Sequence, residues 1–178
     1  NPVASAGSIM GAPGFQKRID ALHARGGRFV VIDPRRTESA AIADEYFGIR
    51  PGTDVYLLLA LLHEVFKQGR IDLAHLAPHV DGLEALRQPV PGFDPQVLAA
   101  RTSLPQSRII ALAHDLMVEP RALVYGRVGA CTQEFGGLTL WLIYCLNAVT
   151  GHLDREGGIM FAEPAVDLTR AYGSRGHY

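Results

Sequence analysis

The stretch that most constrains this chain is Arg28-Phe29-Val30-Val31-Ile32-Asp33-Pro34. A short run of β-branched residues bounded in this way fits a strand buried in a sheet. It ends on an acid, followed by a proline that cannot continue a central strand. Asp33 is therefore placed at the carboxyl end of a strand, the side on which open α/β sheets bind ligands. Helical patterns flank the run. Upstream, Phe15, Ile19 and Leu22 share a helix face, with Gly26-Gly27 as the stop. Downstream, Thr37 is a fair N-cap for a short Ala-rich helix through Asp44, and Tyr46 to Ile49 reads as a second short strand.

Further along, Arg50-Pro51-Gly52-Thr53-Asp54 reads as a turn, with Thr53 or Asp54 capping a helix that runs to about Gln68 and is stopped by Gly69. That helix carries Leu57, Leu58, Leu61, Leu62, Val65 and Phe66 on a wide apolar face. From Asp72 to about Leu116 the pattern is short helices and turns. Asp72, Asp81 and Asp94 are N-cap candidates, Pro95 suits a first helical position, and Ser107 to Met117 forms a clearer amphipathic helix closed by Pro120. Ala122 to Tyr125 is a third strand candidate. A glycine-rich stretch, Gly126 to Gly137, separates it from a strongly apolar helix, Leu138 to Val149, which Gly151 ends. Strands alternating with helices predict an α/β domain, Rossmann-like and three-layered, around a mostly parallel sheet. The first element is the Gly/Ala/Ser/Pro loop Asn1 to Gly14, with no strand in front, so the leading strand is expected to be missing. Residues 1–160 read as the domain and 161–178 as a tail or the start of a connection.

Bulk properties narrow the function classes. The chain has 178 residues, which is one domain by length. A formal net charge of -1 leaves no electrostatic footprint for nucleic acid or an anionic membrane. The apolar runs are broken by His63, Glu64 or Asn147 and are too short to span a bilayer. Cys131 and Cys145 form no CxxC pair and read as buried free thiols. His75 and His79 are four apart, but Pro78 breaks the helical register and no third ligand is near, so no metal site is assigned. His63 lies within an apolar helix and reads as a satisfied core or interface histidine. No Ser-His-Asp or paired-carboxylate constellation is credible from sequence order.

Three segments are expected to converge beyond the strand ends: Asp33 with Arg35, Arg50 to Asp54, and Gly126 to Gln133, joined by Asn1 to Gly7 if a strand precedes that loop. Asp33 suits a ribose diol, or equally a loop or capping role. On spacing alone Asp54 suits the N-cap of a helix starting at Val55 more than the amide-like edge of a guanine. Arg35 and Arg36 suit phosphates, or are plain surface arginines. Gly126-Arg127-Val128-Gly129 lacks GxGxxG and GxxxxGK[ST]; its glycines permit close backbone approach to a flat ligand.

Beyond the spacing, Val30 to Ala40, then Ala43-Asp44, then Ile49 to Asp54, then Leu57 to Leu62 resemble the molybdopterin oxidoreductase family, which includes formate dehydrogenases, nitrate reductases and dimethyl sulfoxide reductase. Tyr125 to Gly129 with Thr132 to Gly136, and Leu146 to Arg155 with Gly157-Gly158, agree in family order. Asn1-Pro2 resembles the end of a Gly-x-Asn-Pro turn. The resemblance implies a piece of a catalytic subunit that binds one of two molybdopterin guanine dinucleotides on molybdenum or tungsten. By position it sets Asp33 and Arg35, beside Ile32, at the guanosine ribose and diphosphate, and Gly52 and Asp54 at the guanine. Asn1 and Pro2 fall near the diphosphate, and Gly126, Gly129 and Gln133 on the pterin side.

The same reading puts the iron–sulfur segment, the metal-ligand side chain and the closing C-terminal domain outside this chain. It is therefore expected to be catalytically inert alone and empty of cofactor, with the parent's remaining domains and an electron-transfer subunit as partners. Formate oxidation is the first expectation for the parent and nitrate reduction the second. The compartment is open, with the cytoplasm favoured. His152 stands where the family usually has Asn and receives no role. The rivals are a non-catalytic nucleotide-binding or interaction module with the same fold, and an ordinary dinucleotide dehydrogenase domain, which the missing GxGxxG disfavours.

Overall fold

The structure is a computed structural model that describes residues 1–5, 12–88, 90–161 and 165. The tail expected at Tyr172 to Tyr178, and Gly7 of the first loop, lie outside the described residues.

The chain order is α1 (Phe15–Ala24), β1 (Val30–Ile32), α2 (Glu38–Ala41), β2 (Glu45–Phe47), α3 (Asp54–Lys67), α4 (Leu83–Arg87), α5 (Pro95–Thr102), α6 (Gln106–Val118), α7 (Val128–Cys131) and α8 (Gly136–Val149), with 3-10 turns at Ala74–His79 and Val90–Phe93. β1 and β2 are parallel, with Val30 opposite Glu45, Val31 opposite Tyr46 and Ile32 opposite Phe47. Asp44 anchors the start of the pairing. Its carboxylate accepts from Phe29 N at 2.6 Å and sits 2.8 Å from His23 Nε2, which ties α1 to the sheet. The Phe29 bond, then the neighbouring histidine, hold the Asp44 carboxyl below its ordinary range against the opposing effect of burial. α1 ends in a Schellman motif: Gly26, at φ +80, donates to His23 O, and Gly27 donates to Leu22 O.

The core is organised around a helix, where the sequence pattern predicted a sheet. α3 buries Val55, Leu57, Leu58, Ala60, Leu61, Leu62 and Val65 and packs against α5, α6, α8 and the turn at Val90–Phe93. A helix apolar on nearly all sides can be satisfied only from the middle of a cluster. The sheet cannot take that place. Its two strands have three residues each, and β1 is half-buried where a fully buried strand was expected.

The third strand expected at Ala122 to Tyr125 is not formed, because its backbone is paired by a side chain. Asn147, 1% exposed inside α8, donates from Nδ2 to Val124 O at 2.8 Å and to Ile143 O at 2.7 Å, and its Oδ1 accepts from Val124 N at 2.9 Å. One buried amide thus does what a neighbouring strand would have done. The described residues form a mixed, mainly helical domain with a small two-stranded parallel sheet.

Smaller boundaries also moved. α2 stops at Ala41 because Asp44 is drawn back to Phe29, and β2 occupies Glu45–Phe47, one residue earlier than expected and two residues shorter at its end. The apolar helix begins at Gly136, where any side chain would meet the Cys131 carbonyl. Thr37 caps α2 through Ala40 N, and Asp94 caps α5 through Gln96 N, with Pro95 in the first turn. Gly82, in place of Asp81, is the cap of α4. His63 sits 3.9 Å from Asp94, in keeping with a partnered core histidine. Both cysteines are free and half-buried, so neither is the fully buried thiol expected.

Candidate functional site

The site is built from the loops that leave β1 and β2. At the end of β1, Asp33 N extends the ladder to Phe47 O at 3.2 Å, and Asp33 Oδ1 accepts from Arg35 N at 2.8 Å. This Asx turn reverses the chain past Pro34 and keeps the carboxylate at the strand end. After β2, Arg50 N donates to Thr102 O at 2.9 Å, and Arg50 O accepts from Thr53 N at 3.3 Å. Gly52 has φ +76. Proline followed by a positive-φ glycine is the chemistry of a type II turn, and an L side chain at 52 would be strained there.

The turn delivers Asp54 as the first residue of α3. Thr53 is the cap residue, yet its hydroxyl donates back to Arg50 O at 2.6 Å and no side chain caps the helix. Of the two caps expected, Thr53 takes the position through its backbone, its carbonyl accepting from Tyr56 N and Leu57 N, and Asp54 does not. Asp54 is half-buried. Burial first, and then the negative charge of Asp33, push its carboxyl above the ordinary range, opposed only by its own backbone N–H. The charge of Asp33, twenty-one positions earlier in the sequence, thus adds to the effect of burial at Asp54.

The third segment joins at Gly52. A side chain there would stand 3.4 Å from Gln133 Oε1. Gln133 Nε2 donates to Gly129 O at 2.7 Å, which folds Gln133 over α7 and against the turn. The two glycines of this segment differ. A side chain at Gly126 would collide with Ile143, so its smallness serves packing on α8 where ligand approach was expected, whereas Gly129 has nothing within 4 Å. Residues 1–5 join at the other side. Asn1 Oδ1 accepts from the Ser39 hydroxyl at 2.8 Å, Asn1 Nδ2 donates to Glu38 at 2.5 Å, and Val3 N donates to Ser39 Oγ at 3.0 Å. Asn1 and Pro2 therefore lie over the start of α2, directly after the Asp33–Arg36 turn. Arg35 is exposed.

The structure brings together Asn1 with Glu38 and Ser39 of α2, and Gly52 with Gln133, while Asp33 and Asp54 follow the ends of two paired strands. Sequence reasoning missed Asn147, which fixes the segment leading into Gly126, although a lone amide within an apolar helix was visible. Gly136 and Gly158 stood in the motif blocks without a role, and the structure supplies one, since a side chain there would meet the Cys131 and His152 carbonyls. His75 Nε2 lies 3.3 Å from Asp154, far along the sequence from these loops. Among the described residues no three His, Cys, Asp or Glu side chains are grouped to hold a metal ion, and no helix is long and apolar enough to cross a membrane. An apolar groove lined by Leu73, Val80, Leu83, Leu86, Trp141 and Cys145 shares no residue with the cluster.

Comparison with known proteins gives a consistent picture. Residues 11–166 match the family model for molybdopterin oxidoreductase. The chain is 33% identical to the probable oxidoreductase YoaE of Bacillus subtilis, over 75% of its own length and 20% of that protein. It is 30% identical to the F420-dependent formate dehydrogenase subunit alpha of Methanocaldococcus jannaschii, over 82% of its length and 22% of that protein. Among solved structures it superposes on acetylene hydratase from Pelobacter acetylenicus with a TM-score of 0.71 at 25% identity, covering 77% of this chain and 19% of that one. The chain thus spans about a fifth of the length of the relatives it matches.

Proposed function

The chain belongs to the molybdopterin oxidoreductase family, and we propose that it holds the guanosine end of one molybdopterin guanine dinucleotide. The observation that carries this reading is that two neighbouring parallel strands each run into a loop that carries an acid, Asp33 after β1 and Asp54 at the start of α3 after β2. Burial first, and then the charge of Asp33, make ionised Asp54 costly, a cost that a ligand rich in N–H donors offsets. A guanine edge offers two N–H donors to Asp54, and a ribose diol offers two O–H donors to Asp33. The donor set therefore fits the nucleotide half of the cofactor. Ile32 flanks Asp33, and Gly52 sets Asp54. Arg35, Asn1 and Pro2 lie on the side of the diphosphate, while Gly126, Gly129 and Gln133 lie toward the pterin.

The metal and its dithiolenes supply two-electron redox chemistry when bound. What these residues contribute is binding and orientation, and the chain alone is expected to be inert. We read it as part of a larger catalytic subunit, the nucleotide-binding portion of a Rossmann-like three-layer domain whose further strands come from elsewhere in that subunit. The exposed apolar face of α8, with Leu138, Trp141 and Tyr144 between 42% and 52% exposed, supports burial against such neighbours. Formate is the first substrate expected of the parent and nitrate the second, with an electron-transfer subunit as a further partner.

Calorimetric titration with guanosine diphosphate, with adenosine diphosphate as control, tests the reading. Selective guanine binding, even near-millimolar, is expected. Equal affinity for both nucleotides would remove the guanine assignment.

A further inference from the structure

We infer that Tyr46 is the positioning residue of this site, holding the Asp33 turn so that its carboxylate meets the ribose; this rests on the assignment of Asp33 proposed above. Tyr46 is the middle residue of β2. Side chains alternate across a strand, and its neighbours show the other face in use. Phe47 is 1% exposed in the core, and Glu45 pairs with Arg108 at 2.6 Å while that guanidinium covers the Phe47 ring at 4.0 Å. Tyr46 is thereby directed to the opposite face, toward the end of β1.

There one side chain grips both ends of a turn. The Tyr46 hydroxyl donates to Asp33 O at 2.8 Å, and the Arg36 guanidinium lies 5.8 Å above its ring. Asp33, Pro34, Arg35 and Arg36 are thus held at first and last residue by the same aromatic. The strands do not need this bond to pair, because the ladder already continues through Asp33 N to Phe47 O. What the bond does fix is the Asp33 peptide, and through it the direction of the carboxylate. That carboxylate gives one lone pair to Arg35 N, out of about four that a carboxylate offers. The others are positioned for a vicinal diol only while the turn is held.

The test uses the full chain and its Tyr46→Phe variant, which keeps the ring and loses only the hydroxyl. Both are titrated with guanosine diphosphate and with its 2′,3′-dideoxy analogue, which has no diol. We expect the variant to bind guanosine diphosphate about fivefold more weakly, the factor of one net hydrogen bond, and to bind the dideoxy analogue as the wild type does. A loss shared equally by the two nucleotides would mark a general structural role and overturn the proposal, as would no loss on either. If the wild type itself binds both nucleotides alike, the ribose assignment of Asp33 fails and the proposal falls with it. A wild type that prefers the diol beside an unaffected variant removes Tyr46 alone.

Discussion

The interior around α3 and the loops beyond the strand ends treat polar groups in opposite ways. Inside, Asn147 is almost wholly buried and makes three hydrogen bonds of 2.7–2.9 Å. Among the described residues no buried side-chain nitrogen or oxygen lacks a partner. At the strand ends, Asp54 is half-buried, faces a like charge and is held above its ordinary carboxyl range. The interior is complete without a ligand, and the loops are arranged at a cost to folding. Local arrangements that oppose stability cluster where proteins bind and react, so the comparison separates residues kept for the fold from residues kept for the site.

The largest expected effect lies in the interior. Asn147→Leu keeps the branching at Cγ, loses the amide and strands the Val124 N–H and C=O. It should cost on the order of 3 kcal/mol, a fall of roughly 10 °C in melting temperature, read by thermal or urea denaturation. A loss of only a few tenths of a kcal/mol would mean that the segment finds water instead, and that the amide is not the surrogate strand.

Next comes the opposite experiment at the rim. Asp54→Asn should weaken guanosine diphosphate binding about tenfold, within the range of a charge-assisted hydrogen bond, without lowering the melting temperature at neutral pH. The sign is set by linkage. An acid whose folded pKa is raised holds its proton more tightly in the native state, so stability falls as pH rises from the unfolded value through the folded one, and above that the full penalty applies. Removing the charge lifts the penalty. A variant that melts lower and binds equally well would place Asp54 at the start of α3 as a dipole partner only. Thr37→Ala supplies the intermediate case, a cap lost beside the same turn. It should cost about 1 kcal/mol and leave the ratio of guanine to adenine nucleotide affinity unchanged, since Thr37 is tied to Ala40 N.

The loops after β1 and β2 were more legible in the sequence than the packing of the core. The placement of Asp33, Gly52 and Asp54 after two strands was readable because strand ends, a Pro-Gly turn and a helix start are local signals. The Tyr46 contact was not readable, because it depends on which face of β2 meets the end of β1. The third strand failed for a related reason. Ala122 to Tyr125 has strand composition, but composition does not say who pairs with the backbone, and the answer is an amide twenty-three residues later. The core was misjudged because α3 is apolar beyond one face. Periodicity marks such a helix as buried without saying whether a sheet or other helices bury it.

The smallest effect is a pH slope at His152, which the interior leaves poised. This ring is 3% exposed, with Nε2 2.8 Å from Glu119 O and Nδ1 2.9 Å from Thr150 Oγ1. Burial first, and then Arg155, hold its pKa below the ordinary value, while the Glu119 carbonyl and Asp72 oppose them. A histidine with a depressed folded pKa contributes stability that is complete above its unfolded pKa, about 6.5, and is lost as pH falls below it toward the folded value. The geometry limits that loss. Thr150 Oγ1 also lies 2.8 Å from Leu146 O. A proton added at Nδ1 can therefore be accepted by the Thr150 oxygen while the hydroxyl turns wholly to Leu146, and no bond is broken. Only burial and the Arg155 charge resist the proton, so the slope should be shallow. Melting temperatures of wild type and His152→Asn, followed from pH 7.5 down to 5.5, should converge as the pH falls. Curves that stay parallel would show that the histidine holds α8 to the chain after α6 without taking part in the acid sensitivity of the fold.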